Sequence, residues 1–167
     1  MKKYFILLSV VLTFFFAGCE KVTEPGGTAV HNMAGDWWVT CEYQKAGVWT
    51  DAGVGHVLFT TYNTTANKNT EMWVNDNGSF WNFHSIINVD YLAKTFATTD
   101  SVSTNSASTP TEKVLITNGK ILKNAAKTPS GVSVDSIVFS AAFNDDSGPI
   151  VYKISGFRRT GFPEDNF

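Results

Sequence analysis

Several features that would point to familiar classes of protein are scarce in this sequence of 167 residues. With 2 cysteines and 3 well-separated histidines, it has neither a disulfide framework nor the closely spaced ligands of a helical zinc motif. Its 13 basic and 15 acidic residues leave a net charge of −2, which provides no basic surface for a phosphate backbone. We therefore expect one domain without a nucleic-acid partner.

Motifs for catalysis and for metal binding are equally scarce. No Gly-x-Ser-x-Gly nucleophile elbow occurs, and the nearest run, at 131–135, lacks the second glycine. The Asp- and Asn-rich runs at 75–78 and 145–148 lack the glutamate that completes a calcium loop, and they are typical of turns. We predict no metal and no cofactor. The remaining candidates for a catalytic role are His56 and His84, which could face each other across strands.

The longest apolar run covers residues 4–16 and follows two lysines. At about 13 residues it is shorter than the roughly 20 that a membrane-spanning helix needs, and it is typical of a signal peptide. The run ends in Phe-Ala-Gly-Cys at 16–19, which resembles the lipobox of bacterial lipoproteins with Phe in the usual place of Leu. The resemblance implies a signal peptide at 1–18 and a lipid on Cys19. The alternative is an ordinary secretory signal with an incidental cysteine.

Cleavage after residue 18 would leave 149 residues, of which 11 are basic and 15 acidic. Residues 19–30 contain Pro-Gly-Gly and are predicted to be a flexible tether, while 31–167 form the domain. Glu20 does not resemble an inner-membrane retention signal, so we expect a lipid-anchored protein of the bacterial envelope, in the outer membrane. Cys41 would be the one remaining thiol, so the domain has no internal disulfide.

The composition of this remaining part favours strands, with 18 threonines and 14 valines against 4 leucines. Asn-Gly pairs at 77–78 and 118–119 predict tight hairpin turns, 99–112 is predicted to be a long loop, and no helix longer than one turn is expected. Consecutive hairpins predict an all-β, antiparallel up-and-down barrel of about eight strands. Alternating apolar runs place the strands at 37–44, 54–62, 71–74, 79–87, 91–98, 114–117, 120–122, 132–143 and 150–159.

Two motifs at the ends of the domain resemble those of lipocalin-like (calycin) barrels. Gly35 and Trp37 form a Gly-x-Trp at the start of the first strand, and Arg158 lies near the end of the last. The resemblance implies that Trp37 closes the floor of the barrel and that Arg158 stacks on it. A cation over an indole face is attractive, and Gly35 would let the chain turn beneath the ring.

A closer resemblance is to a family of small bacterial lipoproteins described as lipid-binding putative hydrolases. It is carried by Ala-Gly-Asp-Trp-Trp-Val at 34–39 and by Arg-Arg-Thr-Gly-Phe-Pro-Glu-Asp at 158–165. The resemblance implies an apolar ligand. A hydrolase activity would need support from residues of this chain.

The mature chain keeps 18 aromatic residues, and a barrel of eight strands can hold one small ligand. The sequence determines which side chains face the barrel interior only for the first and last strands. In the other strands both faces are similarly apolar, so a shift of one residue would exchange them. Further inward-facing positions are Cys41, Thr60 and Ile137. The candidate ligand-binding residues on the inner face are Val39, Tyr43, His56, Leu58, Trp81, Phe83, Phe139, Tyr152 and Ile154.

Three functions remain open on this basis. The first is a membrane-anchored protein that holds a small hydrophobic or lipid-like ligand in the barrel, and the second is a lipid or ester hydrolase of the same fold. The third is a surface module that binds glycan or protein through Trp38, Trp49 and Trp73. The aromatic side chains could also fill the barrel and leave no room for a ligand.

Overall fold

The structure is a computed structural model that describes residues 26–103 and 112–167. The predicted signal peptide at 1–18, Cys19 and the first part of the tether lie outside the described residues, and so does most of the predicted loop at 99–112. The predictions for the residues outside the described ranges stay predictions, whereas Val102–Ser103, within the predicted loop, form a short strand. Within the described ranges, no helix is long and apolar enough to cross a membrane.

The described chain forms ten strands, and all the pairings recorded between them are antiparallel. A short 3₁₀ turn at Pro163–Asp165 follows the last strand. The strands are β1 (Gly35–Lys45), β2 (Val48–Asp51), β3 (Val57–Tyr62), β4 (Glu71–Asn75), β5 (His84–Asp90), β6 (Thr95–Ala97), β7 (Val102–Ser103), β8 (Lys113–Lys127), β9 (Ser133–Phe143) and β10 (Tyr152–Arg158).

Eight of the strands form a closed barrel in the order β1, β3, β4, β5, β6, β8, β9 and β10, and β10 pairs again with β1. The closing ladder runs from Trp37 opposite Arg158 to Tyr43 opposite Tyr152. β2 is an extra strand beside the second half of β1, and β7 continues along β8 beyond β6. Consecutive pairing around the ring confirms the predicted all-β, up-and-down barrel of about eight strands.

Side chains alternate between the interior and the outer wall, as a half-buried strand requires. Along β9, burial alternates from Asp135 to Phe143, with every second side chain inside. Fully burying one large apolar side chain contributes about 1.5–3 kcal/mol, so this interior holds the barrel together. Its largest members include Trp37, Phe59, Phe83, Phe139, Met33, Met72, Ile87, Ile116, Ile137 and Ile154.

The prediction of a hairpin turn at Asn118 and Gly119 is wrong. β8 runs through both residues and pairs with β9 on either side, with a shift of register between Thr117 and Lys120. The φ of 56° at Asn118 belongs to this β-bulge. A side chain at Gly119 would come within 2.3 Å of the Phe96 ring, so glycine is required where β6 approaches the bulge.

Two other predicted strands have different bounds in the structure. The segment 79–87 becomes a strand only at His84, because residues 76–83 form a loop between β4 and β5. In the segment 91–98, residues 91–94 form the turn between β5 and β6, and the strand is limited to 95–97. The carboxylate of Asp90 stabilises that turn by accepting two backbone N–H groups at 3.1 and 3.0 Å, so local turn chemistry outweighs the apolar pattern.

Candidate functional site

One end of the barrel, which we call the floor, is closed by Trp37. Its ring is fully buried, and its Nε1–H donates to Thr61 Oγ1 at 2.9 Å. The guanidinium carbon of Arg158 lies 4.6 Å from the ring centroid, within the range of a cation–π interaction. A Cβ at Gly35 would come within 2.6 Å of Arg158 Nη1, so only glycine leaves room for this arrangement.

The charged groups of the floor are paired with each other. Arg158 donates to the carbonyl of Ala34 at 2.7 Å and lies 3.5 Å from Asp135. Asp135 also accepts from Lys123 at 3.0 Å and from the backbone N–H of Asn124 at 3.1 Å. Burial alone would raise the pKa of Asp135, but this N–H and the two cations outweigh it and hold that pKa below its usual value.

The opposite end, which we call the mouth, is covered by aromatic rings. Trp81, on the loop 76–83, stacks on Phe143 at 4.4 Å with 9° between the ring planes. Phe80, from the same loop, meets the Tyr152 ring edge-on at 5.1 Å, and Tyr152 lies 6.5 Å from Tyr43 across the closing ladder. The mouth therefore joins rings from β1, β9 and β10 to rings from a loop.

Asp76 gives the loop its shape. The residue is fully buried, and its carboxylate accepts backbone N–H groups of Gly78 at 2.9 Å, Phe80 at 3.1 Å and Trp81 at 2.6 Å. Asn77 and Gly78 have positive φ values of 53° and 72°, which lets the chain fold back around that carboxylate. The Asx-rich run at 75–78 thus directs Phe80 and Trp81 over the barrel.

Carboxylates are also the partners of the polar atoms at the mouth. Trp81 Nε1–H donates to Asp145 at 3.0 Å, and the Tyr152 hydroxyl donates to Asp146 at 2.8 Å. Burial and the bond to Asp146 raise the pKa of Tyr152. Below them, burial raises the pKa of the Cys41 thiol to about 12, with smaller contributions from the negative charges of Asp76 and Asp51.

Ring contacts continue from the mouth into the interior. Phe83 lies 5.6 Å from Phe143 and 5.7 Å from Phe59. Phe139 lies 6.2 Å from Phe59 and 5.6 Å from Phe96. Aromatic side chains thus occupy the axis of the barrel. At its upper end the rings of Phe80 and Trp81 come from a loop and not from the wall.

The structure brings seven of the nine predicted ligand-binding residues together. Trp81 lies on the loop, and Tyr43 and Tyr152 lie at the mouth. Phe83 is the last residue of the same loop and packs beneath the mouth, not on a strand as predicted. Whether any of the seven contacts a ligand stays a prediction. The members buried below the mouth are Val39, Phe83, Phe139 and Ile154.

The prediction that His56, Leu58 and Thr60 face the interior is wrong by one residue. Phe59 pairs with Trp37 in the ladder between β1 and β3, and paired residues share a face. Phe59 is therefore buried and Leu58 only partly so. The sequence pattern could not distinguish the two faces of β3, because both are similarly apolar. His56 is exposed and stacks on Phe167 at 3.8 Å, away from the mouth.

His84 lies on the outer wall. Its Nε2 is 2.6 Å from the Tyr62 hydroxyl, its ring is 4.0 Å from Trp73, and burial lowers its pKa. His56 and His84 have different neighbours and do not form a shared site. Among the described side chains, no group of three His, Cys, Asp or Glu could hold a metal ion. Trp38, predicted to be exposed, is covered by Phe167.

Five residues at the mouth were not predicted as site residues: Phe80, Phe143, Asp76, Asp145 and Asp146. Phe143 continues the alternation of Phe139, so its inward direction could have been inferred from β9. The Asx-rich runs that contain Asp76 and Asp145 predict turns only. Phe80 follows no periodic pattern, because a loop and not a strand positions it.

Two grooves on the described surface lie away from the mouth. One of about 480 Å³ is lined by β5, β6 and the bulge of β8. Another of about 570 Å³ lies beside Asp36, Arg159 and Asn166 near the floor. Their linings are mixed or polar, whereas the mouth concentrates the aromatic side chains.

Residues 22–163 match the family model described as "Lipid-binding putative hydrolase". No curated protein matches the chain at a significant level.

Proposed function

The chain belongs to the lipid-binding putative hydrolase family, and on that premise we propose that its barrel binds one small hydrophobic or lipid-like molecule that enters through the mouth. The observation that carries the proposal is the position of Phe80 and Trp81. Both rings cover the interior from a loop, and a loop can move while the barrel wall stays paired.

The proposed path lies between the mouth and the upper interior. If the loop lifts, the volume filled by Phe80 and Trp81 is bounded by Tyr43, Phe143 and Tyr152. Beneath it the wall carries small side chains, among them the buried Ala141, which is paired with Tyr152. An aliphatic chain could occupy this volume and keep its apolar surface away from water.

We propose binding without hydrolysis. Hydrolysis requires a nucleophile with a base within hydrogen-bond reach of the substrate. The described pair that comes closest to this, Tyr62 with His84, lies on the outer wall of β3 and β5. The described side chains at the mouth are aromatic rings and carboxylates, and they do not form such a pair of nucleophile and base.

We also propose that a lipid on Cys19 anchors the protein to the outer membrane. The described chain begins at the floor, where Asn32 donates to the Tyr91 hydroxyl at 2.7 Å and Thr61 donates to the Met33 carbonyl at 2.6 Å. The six residues at 20–25 reach at most about 21 Å when extended. A lipid on Cys19 would therefore hold the floor near the membrane and leave the mouth facing away from it.

The anchoring is tested by mass spectrometry of the N-terminal peptide and by cell fractionation. We expect acyl mass on Cys19 and loss of the membrane-bound fraction in Cys19→Ser. An unmodified cysteine at the mature N-terminus, or an unchanged membrane fraction in the variant, would contradict the proposed anchor.

The binding proposal is tested with Ala141→Leu and Ala142→Leu. Ala141 faces the interior below the mouth, whereas its neighbour Ala142 faces outward, so the same added volume blocks the proposed path in one variant only. We expect Ala141→Leu to weaken binding of the uncharged dye N-phenyl-1-naphthylamine at least about tenfold and Ala142→Leu to leave it unchanged. Thermal unfolding shows whether each variant is folded.

Native mass spectrometry and an ester assay complete the test. We expect the purified Cys19→Ser protein, which lacks the proposed anchor, to carry noncovalently bound acyl-chain mass and to show no turnover of p-nitrophenyl esters. Failure of the folded protein to bind the dye or any lipid would refute the binding proposal. Turnover that is lost in His84→Ala would establish the hydrolase instead.

A further inference from the structure

Two side-chain donors at the mouth bond to carboxylates. Trp81 Nε1–H donates to Asp145 and the Tyr152 hydroxyl donates to Asp146. A ligand head group that arrives beside them meets the remaining carboxylate oxygens. It can bond to them readily only if it donates hydrogen or carries positive charge.

Among the described residues, Asp51, Asp76, Asp145 and Asp146 take part in no ion pair, and the exposed Lys113 beside Asn144 is a cation near this end. The ion pairs within the described part of the chain involve Asp135, Glu42 and Asp36. The carboxylate of Asp76 is stabilised by hydrogen bonds from three backbone N–H groups, which carry no net charge. The charges of Asp76 and Asp51 reach the interior, since they contribute to the raised pKa of Cys41.

The cation that closes the floor offers no alternative place for an anionic head group. Arg158 lies against the ring of Trp37 at the far end of the interior. Its two terminal nitrogens bond to the Ala34 carbonyl and face Asp135. An anionic head group that enters through the mouth would have to pass the whole column of rings to reach this guanidinium. From the groove outside the floor, which Arg158 also lines, an anion would compete with Asp135.

Resting on the lipid-binding function proposed above, we propose that the ligand is an amphiphile with an uncharged or positively charged head group, and that the mouth rejects a free carboxylate such as that of a fatty acid. A hydroxyl or amide head donates to Asp145 or Asp146. A quaternary ammonium head gains attraction from these carboxylates and from the faces of Tyr43, Trp81 and Tyr152. A carboxylate head loses its hydration beside like charges.

The experiment compares three probes with the same ten-carbon chain: decanol, decyltrimethylammonium and decanoate. Each probe displaces N-phenyl-1-naphthylamine from the purified protein at pH 7.5 and low ionic strength. We expect decanoate to bind at least about tenfold more weakly than decanol, because nearby like charges at low effective dielectric cost that much. The cationic probe should bind at least as tightly as decanol.

Two double variants show whether the carboxylates are the cause. Asp145→Asn with Asp146→Asn keeps acceptors for Trp81 and Tyr152 but removes both charges, and it should bring decanoate to within about threefold of decanol. The control, Asp36→Asn with Glu164→Gln, removes two exposed charges near the floor. We expect the control to leave the tenfold difference unchanged.

The outcomes separate this inference from the function on which it rests. If decanoate binds as tightly as decanol, or if the mouth variant leaves the difference unchanged, the inference is overturned while lipid binding stands. If the folded protein binds neither the dye nor any probe, the proposed function itself fails.

Discussion

The floor and the mouth of the barrel are each covered by a tryptophan, and the two rings are held in different ways. Trp37 belongs to β1, is fully buried, and lies under the guanidinium of Arg158. Trp81 belongs to a loop, is only partly buried, and donates to the exposed carboxylate of Asp145. A ring fixed by a paired strand can move only if the barrel opens, whereas a ring on a loop can move alone. The mouth is therefore the end suited to admit a ligand.

The two ends also differ in how their charged groups are paired. At the floor, Lys123 and Arg158 share Asp135, so the carboxylate and its cations stabilise one another. At the mouth, the carboxylates of Asp145 and Asp146 bond to ring donors of Trp81 and Tyr152. The floor is a closed electrostatic network, and the mouth still has acceptor oxygens for a ligand.

The largest expected effect is on stability, in a comparison of Trp37→Ala with Trp81→Ala. Loss of the fully buried ring should lower the free energy of unfolding by about 3–5 kcal/mol. Loss of the partly buried ring, which removes its stacking on Phe143 and its bond to Asp145, should cost about 1–2 kcal/mol. Urea denaturation of both variants measures the difference. Equal losses would mean that the loop is as much a part of the core as the floor.

The next effect distinguishes the charges at the two ends by their dependence on pH. Asp135→Asn should cost about 1–2 kcal/mol at pH 7, because Arg158 and Lys123 lose their charged partner. The pKa of Asp135 is held below its usual value of 3.8. The stabilisation of the fold by the charge of Asp135 is therefore present above pH 3.8. It is lost as the pH falls through the lower pKa that Asp135 has in the folded state.

The measurement is the free energy of unfolding of the protein and of Asp135→Asn between pH 7 and pH 2. We expect the two curves to converge as the pH falls below about 4. Asp145→Asn, the control at the mouth, should differ from the protein by less than about 0.5 kcal/mol at pH 7, as an exposed position does. A constant difference between the first two curves would show that the charge of Asp135 is not what stabilises the floor.

The sequence was sufficient to predict the parts of the fold that follow from regular alternation. The ladder between β1 and β10 and the hairpin of β9 and β10 lie where the apolar pattern put them. The inward face of β3 was predicted one residue out of place because Leu58 and Phe59 are both apolar. Only the pairing of Phe59 with Trp37 distinguishes the two faces.

Backbone chemistry explains what the sequence could not determine. An Asn-Gly pair allows positive φ in a turn and in a bulge alike, and the continuous pairing of β8 with β9 selects the bulge at Asn118. The run at 75–78 was recognised as a turn. The inward direction of Asp76 is not visible in that run. It depends on hydrogen bonds from the backbone N–H groups of Phe80 and Trp81, further along the loop, and these bonds place both rings over the mouth.

The smallest expected effect concerns how often the mouth opens, and Cys41 reports it. The thiol is fully buried below the mouth, and its pKa of about 12 leaves about one molecule in ten thousand as reactive thiolate at pH 8. Alkylation therefore depends on opening of the structure. Trp81→Ala removes a stacked contact and a bond to a carboxylate that hold the loop closed, so it should speed alkylation about tenfold.

The measurement is the rate at which the uncharged reagent iodoacetamide modifies Cys41, followed by peptide mass spectrometry so that Cys19 does not contribute. Trp49→Ala is the matched control, because Trp49 is partly exposed on β2 and makes its described ring contact with Lys153, outside the mouth. This control should react at the rate of the unmodified sequence. If Trp49→Ala and Trp81→Ala react equally fast, the reagent reaches Cys41 by another route, and the contrast between a fixed floor and a movable mouth would have to be abandoned.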